Sequence, residues 1–222
     1  MTWTGFTGVF LLFFATHSIP VRPAVRSKVV AYVGTRGFGI GYSTLSLAML
    51  ALLVWAAREA PYIELWPQQA WHRHFVHAGM LVVCLILAFS IGRPNPLSFG
   101  GARNDSFDPK RSGIIRIMRH PVLVALALWA FLHMLPNGDL AHAILFGVLG
   151  GFAVAGRLLI DRRKRQELGA STWYELTSHI ADAPVFSRPI SWPAFCLRLV
   201  AAFALFAALL ALHPVIIGVP AL

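Results

Sequence analysis

The sequence predicts an all-α integral membrane bundle of about six transmembrane helices, with both termini on the non-cytoplasmic side. Three observations carry this reading. The 222 residues are 57% apolar and only 13% charged, against roughly 25% charged in an average soluble domain. Mean hydropathy is +0.67. Stretches without Lys, Arg, Asp or Glu recur at close to the roughly 20 residues that span a hydrocarbon core. Such a composition excludes intrinsic disorder, a nucleic-acid-binding tail and an ordinary soluble enzyme. The net charge of +10 would suggest a nucleic-acid partner in a soluble protein, but in an oily chain it speaks of orientation in a lipid bilayer. Two cysteines, Cys84 and Cys196, are too few for a disulfide scaffold.

The elements follow in chain order. Residues 1–21 form the first uncharged stretch; Arg22 follows it, the reverse of a cleaved signal peptide, so it reads as the first transmembrane helix. Residues 21–36 mix basic and apolar side chains and read as a helix lying in the interface. Residues 37–57 and 74–92 are the second and third stretches. Residues 92–119 are the longest polar segment, with turn signals at Arg93-Pro94-Asn95-Pro96 and Phe107-Asp108-Pro109. The fourth stretch is 120–138; Pro121 suits the first helical position and puts His120 at or near the N-cap. Pro136-Asn137-Gly138-Asp139 reads as a tight turn, making an antiparallel hairpin with the fifth stretch, 140–156, which runs past Arg157 to Ile160. Asp161-Arg162-Arg163-Lys164-Arg165 closes it on the inside. Residues 172–193 read as a cytoplasmic loop, and 199–222 as the last helix. There is no internal repeat, and residues 1–222 read as one transmembrane domain. In this arrangement 17 of the 19 Lys and Arg face the cytoplasm, only Arg58 and Arg73 lying outside, the bias that the positive-inside rule demands.

Nine histidines in a membrane chain are the candidates for chemistry, because polar groups in a bilayer are costly. His72, His74, His179 and His213 fall near predicted interfaces and read as solvated; His142 lies just inside the fifth helix. His17 shares a helix face with Phe13 and Phe14, and His133 follows Trp129 by four residues, so both imidazoles sit beside aromatic faces that suit a flat apolar cofactor. His77 shares a face with His74, and His120 stands in Arg119-His120-Pro121. The nine Asp and Glu lie in connections or at helix ends, which disfavours a buried paired-carboxylate mechanism. Neutral imidazoles without carboxylates leave haem iron, copper or zinc as candidate metals. By depth, His17 should lie level with His120; His133, 13 residues further on and about 20 Å deeper, should lie level with His77 or His142.

Phe14-Ala15-Thr16-His17-Ser18, Arg36-Gly37-Phe38, Tyr62-Ile63-Glu64-Leu65-Trp66, Arg119-His120-Pro121, His133-Met134-Leu135-Pro136-Asn137-Gly138-Asp139 and Asp161-Arg162-Arg163-Lys164-Arg165 together resemble the NnrU family. The resemblance implies a small multi-pass protein of the bacterial inner membrane, linked to nitrite and nitric oxide metabolism in denitrification. The family is similar to 15-cis-zeta-carotene isomerase, a haem b protein. That likeness implies haem b here, held by His17 and His133, with His120 and His77 as the rivals by depth. A Cys that can replace one ligand in the isomerase falls on Ala130, so ligand switching through a thiolate is not carried over.

A second similarity is to isoprenylcysteine and phospholipid methyltransferases, through Arg119-His120-Pro121 and Arg165-Gln166-Glu167-Leu168-Gly169 with Trp173-Tyr174. It implies an S-adenosylmethionine site, although Leu123 stands where those enzymes have Tyr and Glu167 stands where they have a Glu pair. Three readings follow: a haem-binding membrane protein, isomerase-like or oxidoreductase-like if it is an enzyme; a membrane methyltransferase; and a non-enzymatic assembly factor for a membrane oxidoreductase. Gly147, Gly150, Gly151 and Gly156 permit close helix packing, which leaves the oligomeric state open.

Overall fold

A computed structural model gives the structure of the protein and describes residues 1–184 and 191–221. Arg188, counted above among the cytoplasmic cations, and Leu222, the end of the last stretch, lie outside the described residues. The helices are α1 (Trp3–Ser18), α2 (Pro23–Glu59), α3 (Ala70–Ser90), α4 (Ile114–Ile117), α5 (Pro121–Met134), α6 (Leu140–Leu168), α7 (Ala170–Asp182) and α8 (Trp192–Ile216). Among the described residues there is no strand, and Glu64 and Asp139 make one isolated antiparallel bridge.

Each of the six uncharged stretches contains a helix among the described residues. Four helices, α2, α3, α6 and α8, are long and apolar enough to cross a membrane. The other two fall short of the roughly 20 residues a span needs: α1 has 16 and α5 has 14. Three boundaries differ from the sequence expectation. The helix predicted at 37–57 begins at Pro23 and is broken at Gly34, whose φ of 73° and ψ of 169° are not helical and suit a residue without a Cβ. The fifth helix runs through the basic run to Leu168. The last helix begins at Trp192 and contains Arg198. That guanidinium donates to the carbonyls of Ala88 and, at 3.2 Å, Ile91, so it satisfies carbonyls that the end of α3 leaves unpaired.

The loop predicted at 172–193 is a correction. Its first part belongs to α7, an amphipathic helix that buries Trp173 and Ile180. These positions, with Leu176 between them packed on the same cluster, repeat at helical spacing. Polar residues on the other faces keep the segment below the hydropathy of a span, so a search for uncharged stretches passes over it.

The chain divides into two compact units, Met1–Pro67 with Asn137–Leu145, and Gln68–Pro136 with Phe146–Leu222. In the first unit α1 packs against α2. Phe6, Phe10 and Phe13 are the buried face of α1, and Phe6 meets Phe10 edge to face. Thr2 caps α1 by accepting from the Gly5 amide, and the N-terminal amine donates to the last carbonyl of α2, Glu59. Residues 62–66 dock on the 138–140 turn: the amides of Leu65 and Trp66 donate to the Gly138 carbonyl at 2.7 and 3.1 Å, and the Leu140 amide donates to Ile63 at 2.9 Å. Gly138 is required there, because a Cβ would stand 1.9 Å from the Trp66 carbonyl oxygen. Asp139 then starts α6 by accepting from the His142 amide at 3.1 Å.

In the second unit α3 is central and packs on both α5 and α8. Gly79 of α3 lets Leu132 of α5 approach to 2.5 Å of where a Cβ would be. Val83, Ile86, Ala125 and Leu132 form the buried cluster between them. Phe89 meets Phe195 and His77 meets Phe206 along the antiparallel α3–α8 contact. The predicted hairpin is present: Leu123 lies by Gly156, and Phe131 by Gly150, so α5 and the 146–168 part of α6 run antiparallel. Where lipid surrounds helices, such close packing, rather than escape from water, holds them together.

Candidate functional site

The most fully built polar site lies at the start of α5, inside the second unit. His120 is the N-cap of α5 and Pro121 its first residue, as the sequence predicts. The imidazole does not cap the helix. It is 2% exposed and reaches sideways to two partners, Ser98 Oγ at 2.9 Å from Nδ1 and Asp161 Oδ1 at 2.8 Å from Nε2. The other carboxylate oxygen of Asp161 accepts from Arg119 at 2.9 Å. The Arg119 guanidinium also stacks over the Trp173 ring at 5.1 Å, a cation–π contact.

The polar segment before α4 holds this set in place. Asn95 is 3% exposed and donates from Nδ2 to the Arg119 carbonyl at 3.1 Å. Its Oδ1 accepts from the Leu97 amide, and its own amide donates to Asn104. Leu97, Ile115, Trp173 and Ile180 close an apolar cluster beside it. The turn that carries Ser98 is thereby wired to the residue before His120.

Burial pushes the His120 imidazole below its ordinary value because a charged ring is poorly solvated there. The hydrogen bond and charge of Asp161 oppose this, and the nearby charges of Arg119 and Arg157 add to the lowering. A neutral ring satisfies both contacts at once: Nε2–H donates to Asp161, and the Ser98 hydroxyl donates to Nδ1. A cavity of about 470 Å³ opens on the His120 and Asp161 side and is also lined by Arg116, Arg119 and Arg157. Ser98 is buried behind the ring and does not line it. The three residues therefore orient a carboxylate towards the cavity instead of activating a hydroxyl for attack.

The other predicted histidines are placed as follows. His133 lies in the last turn of α5, and its Nδ1–H donates to the Trp129 carbonyl at 2.8 Å. Its ring packs against those of Trp129 and Phe146, with centroids at 5.1 and 5.5 Å, and those two meet each other at 5.6 Å. His77 is on α3 with a buried Nε2 that has no hydrogen-bond partner among the described residues. Gly79 of α3 meets Leu132, the neighbour of His133, so His77 and His133 lie near one level of the α3–α5 contact. His120 and His133 stand at opposite ends of α5, about 20 Å apart at the helical rise, and cannot serve one metal. His17, in the first unit, stacks on Phe13 at 4.4 Å and lies 5.6 Å from Tyr42, whose hydroxyl donates to the His17 carbonyl at 3.1 Å.

His74 and His179 are exposed as expected, but His72 is a correction. It is 3% exposed, and its Nδ1 accepts from the Gln69 amide in a capping box at the start of α3. His142 pairs with Asp139 at 2.7 Å. Asp161 and Ser98 are the site residues that sequence reasoning missed. Asp161 is the one acid at the head of a run of four cations, and that isolation was the available signal. Ser98 carries none.

Among the described residues no group of three or more His, Cys, Asp or Glu is placed to hold a metal ion. Side chains of this chain alone thus build no multi-ligand metal centre there, whereas a macrocycle that supplies its own four ligands needs only one or two imidazoles. Comparison with curated proteins and with solved structures gives no match. The sequence model of the NnrU protein family matches residues 5–221. With its apolar spanning-length helices and a match over nearly its whole length, the chain belongs to the NnrU family.

Proposed function

We propose that this protein is a haem b-binding, multi-pass protein of the inner membrane, acting in nitrite and nitric oxide metabolism during denitrification. The observation that carries the haem reading is the setting of His133. Its Nδ1–H is engaged by a backbone carbonyl, so Nε2 is the ring nitrogen that carries the lone pair and the atom through which His133 would hold haem iron. Trp129 and Phe146 both touch the ring and supply apolar surface of the kind a porphyrin needs. His133 would be one of the residues that hold the haem. His17 is the second by family likeness, and His77 is its rival by level. Haem iron, when bound, supplies a one-electron couple. The residues of this chain fix the ring orientation and exclude water around it. Residue 130 is Ala, which has no sulfur, so no thiolate is available there for an isomerase-like ligand exchange.

Oxidised and dithionite-reduced absorption spectra of the detergent-purified protein test the reading. A Soret band with sharp reduced α and β bands is expected, lost in His133→Ala. Retained haem in that variant would remove His133 from the site, and loss in His17→Ala or in His77→Ala identifies the partner. A spectrum without visible bands refutes haem binding; co-purification of an oxidoreductase would then favour an assembly factor. The proposed six-helix topology, both termini non-cytoplasmic, predicts that reporter fusions at the two ends behave alike.

A second reading, methyl transfer, rests on the cavity beside Arg119-His120-Pro121. Saturable binding of labelled S-adenosylmethionine that His120→Ala abolishes would support it, and absence of binding would dismiss it.

A further inference from the structure

The cavity beside His120 holds more positive charge than its own residues neutralise. Arg116, Arg119 and Arg157 line it, against one carboxylate, Asp161. Both oxygens of that carboxylate are engaged, one by His120 and one by Arg119, so its charge is matched to Arg119. Arg116 uses Nε to donate to the Ala183 carbonyl at 3.0 Å, a neutral acceptor that leaves its charge uncompensated. Arg157 has no hydrogen bond or ion pair among the described residues. It stands on α6 amid the exposed Val154, Leu158 and Leu159, where a lone charge is expensive unless something pairs with it.

Apart from His120 and Thr177 the rest of the wall is apolar, including Ile117, Met118 and Val124. The cavity lies where the apolar part of α6 gives way to Asp161-Arg162-Arg163-Lys164-Arg165, the level at which lipid headgroups sit if α6 spans. Two guanidiniums without carboxylate partners match the paired oxygens of a phosphate group, because the planar fork donates bidentately to them. A sulfonium cation would meet repulsion from the same charges.

We propose that this cavity is a phosphate-binding site, with Arg157 and Arg116 as the phosphate-contacting residues, Asp161 as the residue that pairs Arg119 and His120 as a positioning residue that holds the Asp161 carboxylate. The phosphate is that of an anionic lipid headgroup or of a soluble phosphate compound. This site goes beyond the haem reading and does not depend on it: it is at the opposite end of α5 from His133.

The test uses the full chain in a zwitterionic detergent at low salt and pH 7.5. Titration calorimetry is run with two probes, inorganic phosphate and short-chain phosphatidylglycerol. Saturable binding of at least one probe is expected, weakened roughly tenfold by Arg157→Gln, the loss of one charge-assisted contact. Arg162→Gln, an exposed neighbour on the same helix that does not line the cavity, should change affinity less than about twofold. Circular dichroism confirms that both variants keep their helices. Saturation by phosphate alone assigns a soluble ligand, and saturation by the lipid alone or by both assigns a headgroup. The proposal is overturned if neither probe saturates, if Arg157→Gln and Arg162→Gln weaken binding alike, or if S-adenosylmethionine saturates the protein while both phosphate probes do not.

Discussion

Gly138→Ala tests the joint between residues 62–66 and the turn before α6. A Cβ at this position would lie 1.9 Å from the Trp66 carbonyl oxygen and 2.9 Å from the Trp66 carbonyl carbon, where ordinary contact begins at 3.4 Å. The obstacle is backbone, so no rotamer change relieves it. The Trp66 peptide must retreat by about 1.5 Å, which takes its hydrogen bond to the Gly138 carbonyl well beyond bonding range. The neighbouring bonds from Leu65 to Gly138 and from Leu140 to Ile63, at 2.7 and 2.9 Å, depend on the same approach. Three backbone bonds at about 1 kcal/mol each give a loss of about 3 kcal/mol. For a chain of this size that lowers the unfolding midpoint by roughly 6–12 °C. The assay is heat unfolding of the purified protein in detergent, followed by tryptophan fluorescence, with amide exchange at Leu65 and Trp66 as the local readout. Gly147→Ala is the paired control. It meets nothing within 4 Å and should gain about 0.5–1 kcal/mol from a helix-interior Gly replaced by Ala. If Gly138→Ala unfolds at or above the midpoint of Gly147→Ala, the close approach of Trp66 to Gly138 is wrong.

Four further outcomes follow from the same structure. Asp161→Ala removes the partner of both a buried imidazole and Arg119 and should destabilise the second unit by about 2–4 kcal/mol; Glu167→Ala, in an exposed pair with Arg163 and Lys164, should cost less than about 0.5 kcal/mol, and equal effects would refute the difference in burial. Because the folded state holds His120 below its ordinary value, the unfolded chain binds the extra proton. This contribution to stability is therefore complete above the unfolded value of 6.5 and is lost as pH falls below it. The unfolding midpoint should drop between pH 7.5 and 5.5, and more steeply in wild type than in His120→Gln; parallel curves would contradict the assignment. Gly79→Ala presses a Cβ into Leu132 and should cost about 1–3 kcal/mol, part of which Leu132→Val in the same chain restores; a purely additive double variant would disprove the contact. Arg198→Met leaves the Ala88 and Ile91 carbonyls without their donor, and should raise amide exchange in the last turn of α3 while leaving its first turn unchanged.

The six apolar helices were legible in the sequence, though not all of their ends. An uncharged run of about 20 residues has few alternatives in a bilayer, because only a helix satisfies every backbone group within one segment. Pro121 fixed a helix start and His120 its cap, since a proline at the first helical position lacks only an amide that would be unpaired anyway. The spacings Phe13 to His17 and Trp129 to His133 predicted ring contacts that the structure contains, because residues four apart share a helix face.

Contacts between distant segments set what the local pattern left open. Nothing local to His120 announces Asp161, which is 41 positions away, or Ser98, which is 22 away. Their meeting depends on how α5 packs against α6, and that depends on small residues such as Gly150 and Gly156 admitting Phe131 and Leu123. Helix α7 escaped notice because its buried face is only Trp173, Leu176 and Ile180, too few apolar residues to raise its hydropathy. The burial of His72 likewise follows from a capping box with Gln69, not from its distance to a predicted interface. Hydropathy reads what a segment prefers as its surroundings; which faces meet is set by shape and by polar partners far apart in the chain, and these decide where the charges of the His120 cavity converge.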